Sequence, residues 1–427
     1  MSLVLVSRGS YHGAMPGPPF APHPLLSRET IENPHPYFAK LRREAPISEV
    51  ADSRVFLVAT WPLIEEALER EADFSANLTG VLIEDEEKRP HAFDLPSTGA
   101  TDVIATADEP AHAVHRALVQ PRLSASVVAS MERPIREWTS TALEPLCRQG
   151  GGEFMRPVAE WVPALAVARL LGLPKTDAPL LRPWAMMGGD MLAGTIDGEG
   201  MGRLATQVGA MVAYLREHLA AAPPAPERDA PNAPMLSTLA RGVELGKVNT
   251  EEAIGIAVVM FGAGGESTAA LIGNAARLLA ETPDLADRLR REPDLIPRYV
   301  EEVVRLEPPF KGHYRAVRRA CTLGGVSLGP GDRLFLLWAS ANRDESVISA
   351  PDDLDLERRY PKQHLGFGRG AHFCIGAPVA RLETRIVLEE LLARTNSISL
   401  RADDPPRYAN SLFVRRQERL PLSLRTG

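Results

Sequence analysis

One stretch of the sequence, residues 366–378, limits the possible folds more than any other. It reads GFGRGAHFCIGAP, a glycine-rich loop that leads into a cysteine and then into an apolar pattern with helical spacing. Cys374 is therefore predicted at or next to a helix N-terminus. Backbone N–H groups are unpaired at such a position and carry partial positive charge, which favours a thiolate over a thiol. Gly368 and Gly370 allow left-handed backbone angles and a close approach to a flat group.

A cysteine in this setting can be a nucleophile, a zinc ligand, the axial ligand of a haem iron, or simply a buried, unreactive side chain. Zinc would need three or four ligands at short spacing, but only His372 is near, with His364 further back and no C-x-x-C pair. The loop also lacks the spacing of a phosphate-binding loop, G-x-G-x-x-G or G-K-[ST]. A nucleophile would need a base that the local sequence does not identify, although a distant histidine could serve.

The run F-G-R-G-A-H-F-C-I-G resembles the cysteine-ligand loop of cytochromes P450, with matches at the Phe, both loop glycines, the His, the Cys and the final Gly. The resemblance implies a mainly α fold with small β-sheets (α+β), the triangular helical prism of a P450. In that fold haem b (iron protoporphyrin IX) lies between a long central helix and the cysteine loop, and Cys374 is the ligand of the iron. Further motifs follow in order, so we expect a flexible N-terminal arm at residues 1–29 and a single P450 domain at residues 30–427.

The composition fits a soluble bacterial member of that family. The 427 residues carry a formal net charge of -7, which argues against nucleic acid or an anionic membrane surface as the main partner. The three cysteines lie far apart in the chain and fit a reducing cytoplasm better than a disulfide framework. The apolar run at residues 3–6 is too short for a signal peptide or a membrane anchor. The runs 105–116 and 263–267 resemble actinobacterial P450s in particular.

A long apolar helix is predicted to begin with Thr250 as its cap. Residues 254–268 are apolar on all sides, so the helix should be buried. Three glycines in the middle of the helix, Gly262, Gly264 and Gly265, each cost about 1 kcal/mol relative to alanine, and close packing would explain them. Close packing does not explain the carboxylate of Glu266 beside the hydroxyl of Ser267. A serine-hydrolase elbow, G-x-S-x-G, is excluded because Ala269 stands at its last position.

The run A-G-G-E-S at residues 263–267 resembles the oxygen-binding groove of P450s. The resemblance implies that Glu266 and Ser267 relay protons to dioxygen. Ala263, four residues before Ser267, shares its helix face and is expected to contact the haem. Serine stands where the family commonly has threonine, and it lacks the methyl group that restricts the rotamer of threonine. The adjacent Thr268 is therefore a third catalytic candidate.

Two basic side chains, His112 and Arg116, lie four residues apart on a helix that follows Asp108-Glu109-Pro110. By themselves they would indicate a solvated helix face. The resemblance implies instead that they bind the haem propionates. It adds further haem contacts outside that helix: Arg315, His364, Phe367, Gly368 and Gly376.

Glu302 and Arg305 match the E-x-x-R motif of P450s. Any helix can carry such a pair on its surface, where it contributes a few tenths of a kcal/mol. The resemblance implies a buried network, joined by Arg358, that serves folding and haem retention rather than catalysis.

The resemblance implies a haem-thiolate monooxygenase that activates O2 and inserts one oxygen atom into a small apolar organic substrate. Since the sequence shows no flavin or nicotinamide domain, electrons are expected from a separate ferredoxin and ferredoxin reductase, with docking near Arg369. Two alternatives stay open: a biosynthetic P450 that couples C–C or C–O bonds or uses peroxide, and a haem-thiolate binding protein without turnover. A cysteine hydrolase is a more distant third.

The sequence indicates the substrate only in outline. Residues 76–105 read as a solvated surface loop or, by resemblance, as a cap on the substrate pocket. The candidate substrate contacts are Leu82, Ile83, Met260, Phe261, Phe310 and His313. They predict an apolar molecule with one polar group.

Overall fold

The computed structural model describes residues 23–85, 87–95, 102–195, 198–226 and 233–426. Helices dominate this part of the chain, as predicted. The α-helices are, in chain order, α1 (Arg28–Glu32), α2 (His35–Glu44), α3 (Trp61–Glu69), α4 (Ala111–Val119), α5 (Ala125–Ser130), α6 (Glu132–Arg148), α7 (Trp161–Leu171), α8 (Ala178–Ala185), α9 (Gly198–Ala221), α10 (Met235–Glu244), α11 (Thr250–Glu281), α12 (Pro283–Arg291), α13 (Ile296–Leu306), α14 (Trp338–Ala341) and α15 (Ala377–Arg394). Short 3₁₀ or π segments are Pro24–Leu26, Gln120–Leu123, Met155–Ala159, Lys175–Asp177, Asp190–Leu192, Pro293–Leu295 and Gly370–His372.

The strands form small sheets around the helical part. They are β1 (Ile47–Glu49), β2 (Val55–Val58), β3 (Phe74–Ser75), β4 (Gly80–Glu84), β5 (Pro90–Asp94), β6 (Gly151–Glu153), β7 (His313–Val317), β8 (Cys321–Leu323), β9 (Val326–Leu328), β10 (Arg333–Leu336), β11 (Ser397–Leu400), β12 (Arg407–Tyr408), β13 (Gln417–Arg419) and β14 (Pro421–Arg425). The largest sheet has the order β1-β2-β10-β7-β3. In it β10 runs parallel to β2 and antiparallel to β7. A second sheet has the order β11-β14-β6, and β4-β5, β8-β9 and β12-β13 are two-stranded.

The long helix α11 is the centre of the helical part. Its N-cap is Asn249, one residue before the predicted cap, because Asn249 and Glu252 form a reciprocal capping box. The N–H of Glu252 donates to Asn249 Oδ1 at 2.9 Å, and the N–H of Asn249 donates to Glu252 Oε2 at 2.7 Å. Within the described ranges α11 alone is long and apolar enough to cross a membrane by length and composition. It packs against α7, α8, α9 and α15, which is the setting of a central core helix.

Two glycines of α11 are explained by helix packing. A Cβ atom at Gly264 would lie 2.6 Å from Val167 Cγ2, and one at Gly265 would lie 2.5 Å from the Cβ of Ala185. Because α7 and α8 come this close, alanine does not fit at either position without displacing a neighbour. The close-packing interpretation of these glycines is therefore correct.

Two predicted boundaries differ from the structure. The arm predicted for residues 1–29 extends into ordered chain, since Pro24–Leu26 and α1 are helical and Leu25 and Leu26 are buried. Its residues 1–22 lie outside the described ranges. The segment 76–105, predicted as a loop or cap, contains the β4-β5 hairpin, in which Val81 is paired with Phe93.

The E-x-x-R motif forms the predicted buried network. The side chains of Glu302 and Arg305 are each 1% exposed, and Arg305 Nε lies 2.7 Å from Glu302 Oε1. Arg305 Nη2 donates to Glu302 Oε2 at 2.8 Å, and Arg358 Nε donates to Glu302 Oε1 at 3.0 Å. Both arginines also donate to the carbonyl of Asp353, which fixes the segment before the cysteine loop against α13.

Candidate active site

A cavity of about 220 Å³ lies where α11, the cysteine loop, α4 and β7 meet. The structure brings most of the predicted site residues to its wall: Cys374, Phe367, Gly368, Gly376, His112, Arg116, Arg315, Ala263, Ser267, Thr268, Met260, Phe310 and His313. Five predicted residues do not line it: His364, Glu266, Leu82, Ile83 and Phe261. The predicted residues that do line the cavity come from four separate parts of the sequence, 112–116, 260–268, 310–315 and 367–376. The fold therefore brings them together.

The cysteine loop holds the thiol in a fixed position. Gly368 and Gly370 have positive φ angles of 69° and 72°, the left-handed region that glycine adopts at no steric cost. The N–H of Cys374 donates to the carbonyl of Phe367 at 2.8 Å. Burial raises the pKa of the Cys374 thiol, although the N–H groups of Gly376 and Ala377 favour the thiolate. The N–H groups at the helix N-terminus lower the pKa of Cys374, as predicted, but burial raises it by more.

This environment separates the chemical uses of Cys374. A cysteine nucleophile needs a lowered pKa, and the buried thiol has a raised one. Zinc needs further ligands, and no group of three or more His, Cys, Asp or Glu side chains suited to a metal occurs within the described ranges. The remaining role for Cys374 is that of an axial ligand to a metal ion that is also held by other groups. The metal itself would then stabilise the thiolate.

Four basic side chains face one part of the cavity. Arg315 is buried and its guanidinium donates to the carbonyl of its neighbour Tyr314, at 2.9 Å. Burial lowers the pKa of Arg315 to about 10, so it stays charged at neutral pH. The rings of His112 and His372 lie 4.1 Å apart, and Arg116 lines the same wall. Two guanidinium groups together with the N–H groups of two imidazole rings fit a ligand with carboxylate groups.

His372 lines the cavity, whereas the predicted His364 does not. His364 Nε2 lies 3.0 Å from Glu301 Oε2 of α13, and Arg381 of α15 donates to the same carboxylate, so His364 attaches its loop to the contact between the two helices. His372 lines the cavity, and its Nδ1 is buried with no hydrogen-bond partner in the described part of the chain. The signal was present in the sequence, since His372 stands two residues before Cys374 in the same loop.

The face of α11 that lines the cavity carries Ala263, Ser267 and Thr268. Ser267 Oγ donates to the carbonyl of Ala263 at 2.5 Å, a bond within the helix. The single proton of the Ser267 hydroxyl is therefore engaged, and its lone pairs remain available as acceptors. Thr268 is 3% exposed and lies at the edge of this face.

Glu266 lies on another side of α11. Its side chain is 1% exposed, accepts the N–H of Gly189, and accepts a bond from Arg416 Nε at 3.1 Å. Arg416 in turn lies 3.6 Å from Glu160, which pairs with Arg182 at 2.8 Å. Burial raises the pKa of Glu266 to about 7, although Arg416 and the N–H of Gly189 favour its charged form. A direct proton relay from Glu266 into the cavity is not supported by this geometry.

The raised pKa of Glu266 predicts a pH-dependent stability. Between its ordinary pKa of 4.5 and about 7, the folded protein keeps the proton that the unfolded chain has lost. The free energy of unfolding of the wild type, relative to Glu266→Gln, is therefore expected to fall as pH rises through this window, by up to about 3 kcal/mol. Urea unfolding at pH 5, 6, 7 and 8 measures the difference. Glu137→Gln, at an exposed carboxylate, is the control. If the difference in free energy of unfolding between wild type and Glu266→Gln stays constant with pH, the pKa of Glu266 is not raised in the folded protein.

The predicted substrate contacts divide into two groups. Met260, Phe310 and His313 line the cavity. Phe261 is fully buried in the core on another face of α11, and Leu82 belongs to the buried side of the β4-β5 hairpin. Ile83 packs partly buried beside Leu82. Apolar cavity residues that the sequence analysis did not name are Ile104, Val259, Leu271, Pro309 and Trp338.

Comparison with known proteins decides the family. The family model for Cytochrome P450 matches residues 198–423. The chain belongs to the cytochrome P450 family. It is 38% identical to Cytochrome P450 144 of Mycobacterium tuberculosis, over 94% of this chain and 91% of that protein. It is 31% identical to the Vitamin D(3) 25-hydroxylase of Pseudonocardia autotrophica, over 94% of this chain and 96% of the other.

The solved P450 structures agree with the fold. The structure of CYP109E1 from Bacillus megaterium in complex with testosterone superposes with a TM-score of 0.80 at 26% identity, covering 93% of this chain and 99% of that one. The predicted P450 fold and the predicted class of monooxygenase are thus confirmed, and the similar proteins are bacterial P450s.

P450s bind haem b, and the cavity residues of this P450 fit that group. Haem is an apolar plate with two carboxylates at one edge. Arg315 and Arg116 supply positive charge, and the orphaned Nδ1 of His372 supplies an unused hydrogen-bonding atom beside them. Apolar residues and Cys374 form the rest of the wall. Cys374 would bind the iron, and Arg116, Arg315, His112 and His372 would hold the carboxylates.

Proposed function

We propose that this P450 inserts one oxygen atom of O2 into a small, largely apolar organic molecule that carries one hydrogen-bond acceptor. The observation that supports this proposal is the lining of the cavity beside Ala263 and Ser267. There the side chains of Val259, Met260, Leu271 and Phe310 are apolar, and His313 is the polar exception. The names of two similar proteins, a vitamin D3 hydroxylase and a testosterone complex, agree with a substrate of this kind.

Different residues around the cavity hold the cofactor, exclude water and supply hydroxyl groups. Bound haem supplies oxygen activation, which thiolate ligation favours. Cys374 and the basic side chains hold the cofactor, and the apolar wall excludes water from the substrate. Ser267 and Thr268 place hydroxyl groups at the wall, where they can hold a proton or a water molecule.

His313 is suited to orient a substrate. Its Nδ1 accepts the indole N–H of Trp338 at 3.0 Å. Burial and the nearby charge of Arg315 lower the pKa of His313 to about 4, so the ring is neutral at pH 7. Because Nδ1 is an acceptor, the ring proton is on Nε2, which makes His313 a donor. A carbonyl or hydroxyl oxygen of a substrate is the matching acceptor.

Replacing His313 with Phe is expected to weaken binding of compounds with an oxygen acceptor. One hydrogen bond contributes about 0.5–1.5 kcal/mol, so the Kd should rise about 2- to 12-fold. Optical binding titrations with pairs of apolar compounds that differ by one carbonyl group measure this. Met260→Leu, an apolar change in the same wall, should affect both members of each pair equally. Equal weakening of both members by His313→Phe would exclude the donor role.

We propose a ferredoxin as the electron donor. The surface beside the cysteine loop supports this, because Phe373 is 41% exposed and the side chain of Arg369 is 54% exposed, where it pairs with Glu65 at 2.7 Å. An acidic protein that competes with Glu65 for Arg369 would bind by electrostatic attraction. The rate at which it reduces the P450 should therefore fall as ionic strength increases. A rate that does not change with salt would argue against this docking surface.

The experiment for the oxygen insertion itself uses labelled oxygen. The purified P450, supplied with ferredoxin, ferredoxin reductase and a compound chosen by binding titration, should place one ¹⁸O atom from ¹⁸O₂ in the product. Label from water instead of O2, or a coupled product without new oxygen, would exclude the proposal. Equal product formation with hydrogen peroxide alone would favour a peroxide-dependent P450.

We further propose that the protein works in the cytoplasm. Cys147, Cys321 and Cys374 are all free thiols, which fits a reducing compartment. Fractionation of the source cells tests this, and recovery of the protein in the membrane fraction would contradict it.

A further inference from the structure

Residues 309–313 and 411–415 run antiparallel to each other behind one wall of the cavity. The N–H of Lys311, in the first segment, donates to the carbonyl of Phe413, in the second, at 2.8 Å. The first segment contributes side chains to the wall of the cavity, and the second contributes none. Any effect of the second segment on a bound molecule therefore passes through the residues that separate it from the cavity.

Lys311 is buried, which is uncommon for a lysine. The residue is 3% exposed, and its Nζ donates to the carbonyl of Ser411 at 2.7 Å. Glu307, the carboxylate whose charge favours the protonated amine, pairs with Arg415 at 2.7 Å instead. Burial and the charge of Arg415 lower the pKa of Lys311 well below its ordinary value. A lysine amine donates hydrogen bonds whether it is protonated or neutral, so the bond to Ser411 does not depend on its charge.

The bond from this lysine fixes a tight turn at residues 411–414. The Oγ of Ser411 accepts the N–H groups of Phe413 and Val414, at 3.1 and 3.0 Å. The ring centroid of Phe413 lies 4.8 Å from that of Phe310 and 5.3 Å from that of His313. Aromatic rings at such distances interact favourably and restrict one another. The turn thus places an aromatic ring directly behind two residues of the cavity wall, and the buried lysine amine holds the turn in place.

The ring of His313 is held at more than one point. Its Nδ1 accepts the indole N–H of Trp338 at 3.0 Å, a bond about which the ring could still pivot. The ring of Phe413 packs on it with an angle of 60° between the two planes and restricts that motion. The backbone before it is also fixed, since a Cβ atom at Gly312 would collide with the carbonyl oxygen of Leu336. The direction of the Nε2–H group is therefore set by packing.

We propose that Lys311 and Phe413 are positioning residues that determine specificity, because they fix the direction of the Nε2–H group of His313 and thereby select the carbon of a bound molecule that is oxidised. Lys311 acts through the turn at residues 411–414, and Phe413 acts through the ring of His313. The choice of carbon rests on the proposed oxygen insertion and on the donor role of His313. The position of the ring itself can be measured without turnover.

Optical binding titrations of the holoenzyme give the first test, with pairs of apolar compounds that differ by one carbonyl group. The preference for the carbonyl member should be about 2- to 12-fold greater in the wild type than in His313→Phe. Lys311→Met removes the donor and nearly keeps the length of the side chain, so it should lower the preference towards that of His313→Phe. Phe413→Leu should do the same. Tyr299→Phe is the matched control, because it removes another buried bond to a carbonyl, that of Ala275 at 2.6 Å, and it should keep the wild-type preference.

Crystal structures and product analysis give the second test. With a carbonyl compound bound, the wild-type holoenzyme should show Nε2 of His313 within hydrogen-bond distance of the carbonyl oxygen. Lys311→Met should show the turn at residues 411–414 displaced and the ring of His313 rotated. In turnover, Lys311→Met and Phe413→Leu should change the ratio of products oxidised at different carbons several-fold, whereas Tyr299→Phe should leave it unchanged.

These measurements separate the positioning role from the oxygen insertion. If Lys311→Met and Phe413→Leu keep both the wild-type preference for the carbonyl member and the wild-type position of the His313 ring, the proposal is overturned. If Lys311→Met does not fold, as judged by the absorption of its reduced carbon monoxide complex, Phe413→Leu decides, because it leaves the lysine bond in place. If no compound is ever oxidised, the proposed function fails, and the titrations and crystal structures still decide the positioning role.

Discussion

Cys374→Ala is expected to remove the optical signature of a sulfur-ligated haem. The reduced wild-type protein under carbon monoxide should show the red-displaced Soret band that thiolate ligation gives, and the alanine variant should lack it and fall to background in the oxygen-insertion assay. The physical reason is that Cys374 is the thiol that lines the cavity, in a loop whose backbone is fixed by Gly368 and Gly370. No other cysteine of this chain lines that cavity.

The controls for this prediction are the other two cysteines. Cys147 and Cys321 are both partly buried free thiols outside the cavity, so Cys147→Ala and Cys321→Ala should keep the wild-type spectrum. If Cys374→Ala kept both pigment and spectrum, Cys374 could not be the ligand and the assignment of the cavity would be wrong.

Local sequence was enough to predict the cysteine loop and the central helix. The loop depends on glycines at positions of positive φ and on a helix that starts just after the cysteine, and both are local properties. The start of α11 was predicted to within one residue, because the capping signal lies in four consecutive residues, 249–252. Features of this kind need no knowledge of what packs against them.

Helix geometry alone leaves the direction of Glu266 open. Successive residues of an α-helix are about 100° apart, and Glu266 follows Ala263 by three residues, a spacing that can also bring two side chains to one face. In the structure Glu266 lies outside the wall of the cavity that Ala263, Ser267 and Thr268 line. The partners that hold it there, Gly189 and Arg416, are 77 and 150 residues away in the chain, and no local pattern identifies them.

Other errors arose from contacts between distant segments. His364 and His372 are both near Cys374, but Glu301 of α13 binds the first and leaves the second to the cavity. The β4-β5 hairpin was missed because Gly80, Pro90 and several acids weaken the strand pattern, and its pairing is specified by packing against the core. The direction of these side chains thus depends on contacts between distant segments, which local sequence patterns do not identify.

Glu302→Ala is expected to destabilise the fold more than any other single change at a charged residue considered in this protein. Burial alone would raise the pKa of Glu302, but the bonds from Arg305, the N–H of Asp355 and Arg358 lower it, so the carboxylate is charged. Its removal leaves the guanidinium of Arg305, 1% exposed, without its counter-charge. Breaking a buried pair in this way costs about 3–5 kcal/mol.

Urea unfolding of the holoprotein and its haem content after purification measure this effect. Glu302→Gln retains the hydrogen-bond acceptor and should fall between wild type and Glu302→Ala, so it remains measurable if the alanine variant does not fold. The matched control is Glu137→Ala, which breaks a pair with Arg133 on the surface of α6, where the side chains are 60% and 89% exposed. An exposed pair of this kind contributes at most about 0.5 kcal/mol. Unfolding of both alanine variants at the same urea concentration would contradict the prediction. The network around Glu302 would then not stabilise the cysteine loop against α13, and haem retention would have to depend on the cavity residues alone.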